Sequence, residues 1–165
     1  MKNKKKIAIV HEWLSTNAGS EKVSAEIIKL YNNADIFCIV NFLNEKDRKE
    51  ILGKKNTKTT FIQKLPFAKK NFRFYFPLLY PAIRSIRLKS YDVILSSSHA
   101  FAHSVKTNKN QIHICYCHTP MRYIWDMKNL YLNKNGFNKP ILSLLPKLYA
   151  KILNYLDYSS AQNVN

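Results

Sequence analysis

Glycine, cysteine and acidic residues are all scarce in this chain. Only three of its 165 residues are glycine, so a glycine-rich phosphate loop of the G-x-G-x-x-G kind cannot be built from any stretch of it. Its three cysteines, Cys38, Cys115 and Cys117, are an odd number, which excludes a fully paired disulfide framework and reads as free thiols in a reducing compartment. Long apolar runs are also missing. The first, Ile7 to Val10, is too short for the hydrophobic region of a secretion signal, and the patch "FYFPLLYPAI" is broken by Pro77 and Pro81 before it could cross a bilayer. A cytoplasmic location is therefore expected. Ten acidic residues face 27 lysines and arginines, a formal charge of +17. That balance invites a polyanionic partner such as nucleic acid, an anionic membrane or phosphate groups. A lysine- and asparagine-rich composition of the kind an AT-rich gene encodes gives the same charge with no partner at all.

The apolar content that is present, 46% of residues, is enough for one domain with a real core. "KKIAIVHEW" is a short β-branched run and reads as a first strand. "STNAGSEKVSAEIIKLY" follows as a helix, with a turn at Asn17, Ala18 and Gly19, Ser20 as N-cap, and Val23, Ile27 and Leu30 on its apolar stripe. "ADIFCIVNF" and "TKTTFIQ" read as the second and third strands, "YDVILSSSH" and "NQIHICYCH" as the fourth and fifth. "ILSLLPKLYAKILNYLDYSSAQ" reads as a long helix with Pro146 in its first turns. Strands alternating with helices predict an α/β, Rossmann-like, doubly wound and mostly parallel sheet. In the order 3-2-1-4-5, the groups that end strands one, four and five share the crevice where such sheets bind ligands. Those groups are His11 to Gly19, Ser96 to His99, and His118.

The stretch "ICYCHTPMRYIWD", residues 114 to 126, concentrates the chemistry. On an extended strand Cys115 and Cys117 share one face, and Tyr116 and His118 the other. This C-x-C pair lacks the turn of a zinc knuckle and has no second pair downstream, so no metal site is expected. A cysteine nucleophile with His118 as its base fails because the two side chains point apart. The thiols read instead as buried packing under a helix. His118, at the strand end before Thr119-Pro120, reads either as a functional group at the ligand edge or as a core histidine. Arg122 is a candidate cation or an i, i+4 partner of Asp126, and Tyr123 and Trp125 either stack on a sugar face or fill the core.

"IAIVHEWLSTNAGSEKV", "YDVILSSSHAFAHSVKT" and "HICYCHTPMRYIWD", in this order and spacing, resemble the N-terminal half of family-4 retaining glycosyltransferases of the GT-B fold. The likeness extends from about Lys5 to the C-terminal helix and is greatest to bacterial mannosyltransferase-like enzymes of surface-polysaccharide assembly. The resemblance implies that residues 1 to 165 form an N-terminal acceptor-binding domain whose donor-binding C-terminal partner lies outside this chain. It implies transfer of a sugar from a nucleotide-sugar donor to a glycan or lipid-linked acceptor, with no cofactor and no metal. His118 would then meet the donor sugar at the reacting centre. Ala18 and Gly19 would approach the donor diphosphate, and Ser98, His99, Arg122, Tyr123 and Trp125 would line the acceptor or sugar side. Ala18 stands where the family usually has a second glycine. The competing reading is a stand-alone basic module for polyanions or an anionic membrane. Nucleic acid is not expected, because no RNA-recognition or helix-turn-helix signature appears and the basic residues are scattered. Membrane contact at the inner face of the cell fits residues 61 to 91 best: between Ile51 and Tyr91 there are ten lysines and arginines, no acidic residue, and interleaved aromatics.

Overall fold

The computed structural model describes residues 5–121, Trp125 and residues 140–164, with side chains of the last segment from Leu148 onward. Five parallel strands form one sheet in the order β3-β2-β1-β4-β5. They are β1 (Ile7–Leu14), β2 (Asp35–Asn41), β3 (Thr57–Thr59), β4 (Val93–Ser98) and β5 (Ile112–Cys117). Helices lie on both faces, so this is a Rossmann-like, doubly wound fold, and the expected strand order is the observed one. Strands buried on both faces need continuous apolar runs rather than alternation. β1 and β2 supply them, with every β1 residue after Ile7 buried.

Helix α1 (Gly19–Leu30) seats Ala25 and Ile28 on one face of the sheet, against Ile9, Ile36, Cys38 and Leu95. On the opposite face Val10, Ile39 and Ile94 meet Leu79 and Ile83 of α4 (Phe76–Arg84), Phe101, and Leu153 of the long helix. Pro77 is tolerated in the first turn of α4, where its missing N–H has no helical acceptor to reach. Pro81 stands within that helix, which still buries Leu79, Ala82 and Ile83 at helical spacing.

Several boundaries differ from the sequence-based expectation. α1 begins at Gly19 with Ala18 in the N-cap position, two residues earlier than a Ser20 cap would give. Alanine offers no side-chain acceptor, and the missing cap is offset by Glu21, whose carboxylate accepts the Ala18 N–H at 3.3 Å. The third strand stops at Thr59, and Phe61–Lys64 turns into a short 3-10 helix started by Thr60, whose Oγ1 accepts the Ile62 N–H. Helix α2 (Glu45–Leu52) was not foreseen because only Ile51 and Leu52 are buried on it. Its punctuation is nonetheless in the sequence, with Asn44 accepting the Asp47 N–H at 2.9 Å and Gly53 ending the helix at φ 60°. The basic, aromatic stretch that follows, for which the sequence gives no element, holds the short α3 (Ala68–Asn71) and α4. The last helix, α5 (Pro140–Ala161), falls where expected.

Among the described residues β5 is an edge strand. Ile112, Ile114 and Tyr116 lie in register with Val93, Leu95 and Ser97 on the α1 side, and remain about half exposed. No described helix is long and apolar enough to cross a membrane.

Candidate functional site

Strand β1 changes character along its length. Ala8, Ile9 and Val10 are apolar, yet His11 and Glu12 follow them at the same depth, both essentially without solvent contact. Burying a carboxylate costs several kcal/mol unless hydrogen bonds replace its water. Here they do. The Ser98 hydroxyl and the N–H groups of His99, Ala100, Phe101 and Ala102 all donate to Glu12 Oε1, at 2.9 to 3.1 Å. The chain leaving β4 thus wraps its amides around one oxygen, an anion nest filled from within. The second oxygen, Oε2, stands 3.1 Å from His99 Nδ1. Burial alone would raise the Glu12 carboxyl, but the His99 contact, the charges of His99 and His11, and the Ala102 N–H together hold it far below its usual value. The same pair acts in reverse on His99, where burial lowers the imidazole pKa and Glu12 more than restores it, leaving a net rise.

A second polar chain runs through the sheet beside this one. His11 Nδ1 lies 3.1 Å from the Ser97 carbonyl and 3.0 Å from Ser24 Oγ. Ser24 Oγ donates to Ser97 Oγ at 2.9 Å, and Ser97 Oγ is 2.9 Å from His118 Nε2. β1, α1, β4 and the end of β5 each contribute one member. His118 lies just past β5, where its backbone N–H continues the ladder to the Ser98 carbonyl at 2.8 Å. The ring is half-buried, beside Tyr116 and His99, with centroids 4.9 and 6.4 Å away. Burial and then the charges of His11 and His99 press its pKa below the usual 6.5, against an opposing pull from Glu12 and Glu21. His118 is therefore no core histidine.

The turn into α1 closes the third side. The first helical N–H groups, at Gly19 and Ser20, have no acceptor within the helix. A Cβ at Gly19 would meet nothing within 4 Å, and its backbone does not occupy the left-handed region. The space beside Gly19 is therefore open. Glu21 already stands there, however: it takes the Ala18 N–H, accepts from Ser20 Oγ at 2.9 Å, and places Oε1 3.8 Å from His11 Nε2.

The remaining sequence-predicted residues divide. Ser98 is buried and its hydroxyl is taken by Glu12, so it supports the site from beneath instead of facing a ligand. His99 is partly exposed and packs edge-on against Trp13, with centroids 4.9 Å apart. Trp125 is exposed, and its indole N–H donates to Asp157 of α5 at 2.8 Å, so it is not a core residue. Asp157 also meets His103 at 3.2 Å, while His103 Nδ1 lies 3.0 Å from Ser98 Oγ. Arg122, Tyr123 and Asp126 lie outside the described residues. The thiols correct an expectation: Cys115 is only half-buried and Cys117 is exposed, so neither is buried packing under a helix. Burial still pushes Cys115 up to about 11 and Cys38 up to about 12, so neither is a ready nucleophile.

His11, Glu12 and His99 bring three ligand-type atoms within 4.8 Å of one another. Within it His99 Nδ1 lies 3.1 Å from Glu12 Oε2, and His11 Nδ1 faces a carbonyl and a hydroxyl, while His11 Nε2 is buried without a hydrogen-bond partner among the described residues. Glu12 and Ser97 fall within the runs His11 to Gly19 and Ser96 to His99 that the sequence places at this edge, though without a role of their own, whereas nothing in the sequence singles out Ser24 or Asp157. The available signal was a charged pair, His11-Glu12, ending an apolar strand, together with the run Ser96-Ser97-Ser98 ending another. No family model matches the chain, and no curated protein or solved structure is similar enough to match it.

Proposed function

We propose that this chain is the acceptor-side half of a retaining glycosyltransferase, which transfers a sugar from a nucleotide-sugar donor to a glycan or lipid-linked acceptor. The observation that carries the reading is the convergence of His118, His99 and the open start of α1 on one sheet edge, at the point where the winding reverses between β1 and β4. Such a transfer develops positive charge on the sugar ring and negative charge on the departing diphosphate. Backbone N–H groups at a helix start suit the diphosphate, and a neutral imidazole with a depressed pKa suits a polar contact to the sugar. Glu21 beside that helix start orders the turn and limits how closely an anion approaches. In this reading a donor-binding half completes the cleft, since positioning two substrates contributes several kcal/mol to the rate and one wall cannot supply it.

The test has two stages. The gene beyond the codon for Asn165 should encode a second, donor-binding α/β half. Labelled nucleotide sugars and a lipid-linked acceptor should then give transfer with the joined halves and none with residues 1 to 165 alone. Transfer by this chain alone would overturn the half-enzyme reading, and none by the joined protein with any donor would overturn the transferase reading.

A second reading, contact with an anionic membrane, has its own support. Phe67 and Phe74 are each 79% exposed, Phe61 and Leu78 are exposed too, and the exposed Lys64, Lys69, Lys70 and Arg73 interleave with them along the chain. Phe67 adopts a left-handed backbone, φ 56°, which is costly for an aromatic residue and holds its ring away from the core. Both readings hold together if the acceptor is lipid-linked.

A further inference from the structure

We infer that Ser97, backed by Ser24 and His11, fixes neutral His118 as the Nδ1–H tautomer and so makes it a hydrogen-bond donor toward substrate. The direction of the chain follows from one atom. The Ser97 carbonyl oxygen can only accept, and it lies 3.1 Å from His11 Nδ1, so that nitrogen must carry the proton. Reversing the chain would set two lone pairs against each other in a site shielded from water. With His11 Nδ1–H donating to the carbonyl and toward Ser24 Oγ, the Ser24 proton is left for Ser97 Oγ, and the geometry has Ser24 donating there at 2.9 Å. The Ser97 proton is then left for His118 Nε2, also at 2.9 Å. Each hydroxyl donates once and accepts once, which is the arrangement a buried polar chain requires. His118 Nε2 is thereby an acceptor turned inward, and Nδ1 carries the hydrogen.

This assignment makes Ser97, Ser24 and His11 positioning residues, acting on substrate only through His118. It rests on the proposed role of His118 for its meaning in transfer. The tautomer itself is a property of the unliganded protein. It gives the site a polarity: the group offered is a donor, which suits a sugar hydroxyl or an anionic oxygen accepting from it. Loss of Ser97 frees Nε2 to take the proton and turns the ring's offer around. Among the described residues, the titratable groups facing His118 are His11 and Glu12 from β1, Glu21 from α1, His99 after β4 and Tyr116 of β5. None of these donates to Nε2, so the hydroxyl is what sets the tautomer.

Long-range proton–nitrogen NMR of the histidine rings in the ligand-free chain reads the result directly, because protonated and bare ring nitrogens resonate apart. At neutral pH the wild-type spectrum should show His118 as one species, protonated at Nδ1 and hydrogen-bonded at Nε2. A predominantly Nε2–H ring, or a free mixture of tautomers, overturns the inference without any variant. In Ser97→Ala the ring should shift toward Nε2–H, and its pKa should rise, because the donor that favours the neutral ring is gone. An unchanged tautomer in a folded Ser97→Ala also overturns it. In the joined, active enzyme, Ser97→Ala should lower turnover when His118 is present and cause no further loss in His118→Ala. Additive losses there would contradict a role exercised through His118. A negative transfer assay would leave the NMR result standing, so the two claims fail separately.

Discussion

The two ends of the sheet carry the same kinds of groups at very different depth. At the start of the strands, Asp35 accepts from the Tyr91 hydroxyl at 2.5 Å and pairs with Lys58 at 3.2 Å, beside an open groove of about 410 Å³. The Asp35 and Lys58 side chains are 43% and 59% exposed. At the other end Glu12 also has hydroxyl and cation partners, yet it is sealed from solvent together with His11, Ser24 and Ser97. Water could serve Asp35 if its partners left. Glu12 has no such fallback, so every one of its partners is structurally required. The ordered polar groups at this end include the contacts that fix His99 and His118.

The first prediction separates the two carboxylates. Glu12→Ala leaves four amides and a hydroxyl without an acceptor, and should cost about 3–5 kcal/mol in chemical denaturation, enough to unfold a marginal domain. Asp35→Ala should cost no more than about 1 kcal/mol, as a surface pair does. Equal costs would erase the distinction between the two ends.

A pH series sharpens the same comparison. Glu12 has a folded pKa below its usual 4.5, so its contribution is present above that value and lost as pH falls beneath it. His99 has a folded pKa above 6.5, so its contribution is full below that value and fades as pH rises through the raised pKa. Stability from the pair should therefore be greatest between these limits. In Glu12→Gln the His99 pKa, followed by NMR, should drop; a value unchanged from wild type would remove Glu12 as its cause.

The smallest expected effects lie away from both ends. Lys69→Glu and Lys70→Glu should each weaken binding to anionic liposomes, by about 1 kcal/mol per cation removed, with Phe67→Ser reducing it further. Wild-type binding that is no stronger to anionic than to neutral liposomes at moderate salt would dismiss the membrane surface.

The strand order was legible because parallel, doubly covered strands write themselves as apolar runs such as "IAIV" and "DIFCIV". Helix α2 was not, since a helix burying only Ile51 and Leu52 has almost no stripe, and its caps are short polar signals that also occur in loops. The site was legible as an edge: His118 and His99 could be placed from strand ends alone. Its interior was not. That Ser98 faces Glu12 while Ser97 faces His118 depends on side-chain alternation combined with the β1–β4 register, and registers are not written in one strand. The misplaced Cys117 has a similar origin, because strand alternation gives a face but not what covers it.

His118 is the residue on which the proposed chemistry turns. In the joined enzyme, sugar-transfer turnover and the unfolding midpoint should be measured together for wild type and His118→Ala. The account predicts a fall in turnover of roughly a hundredfold or more, the range for a positioned polar group at a reacting centre, with the midpoint little changed. Wild-type turnover in the folded variant, or a collapse of the fold without His118, would contradict it.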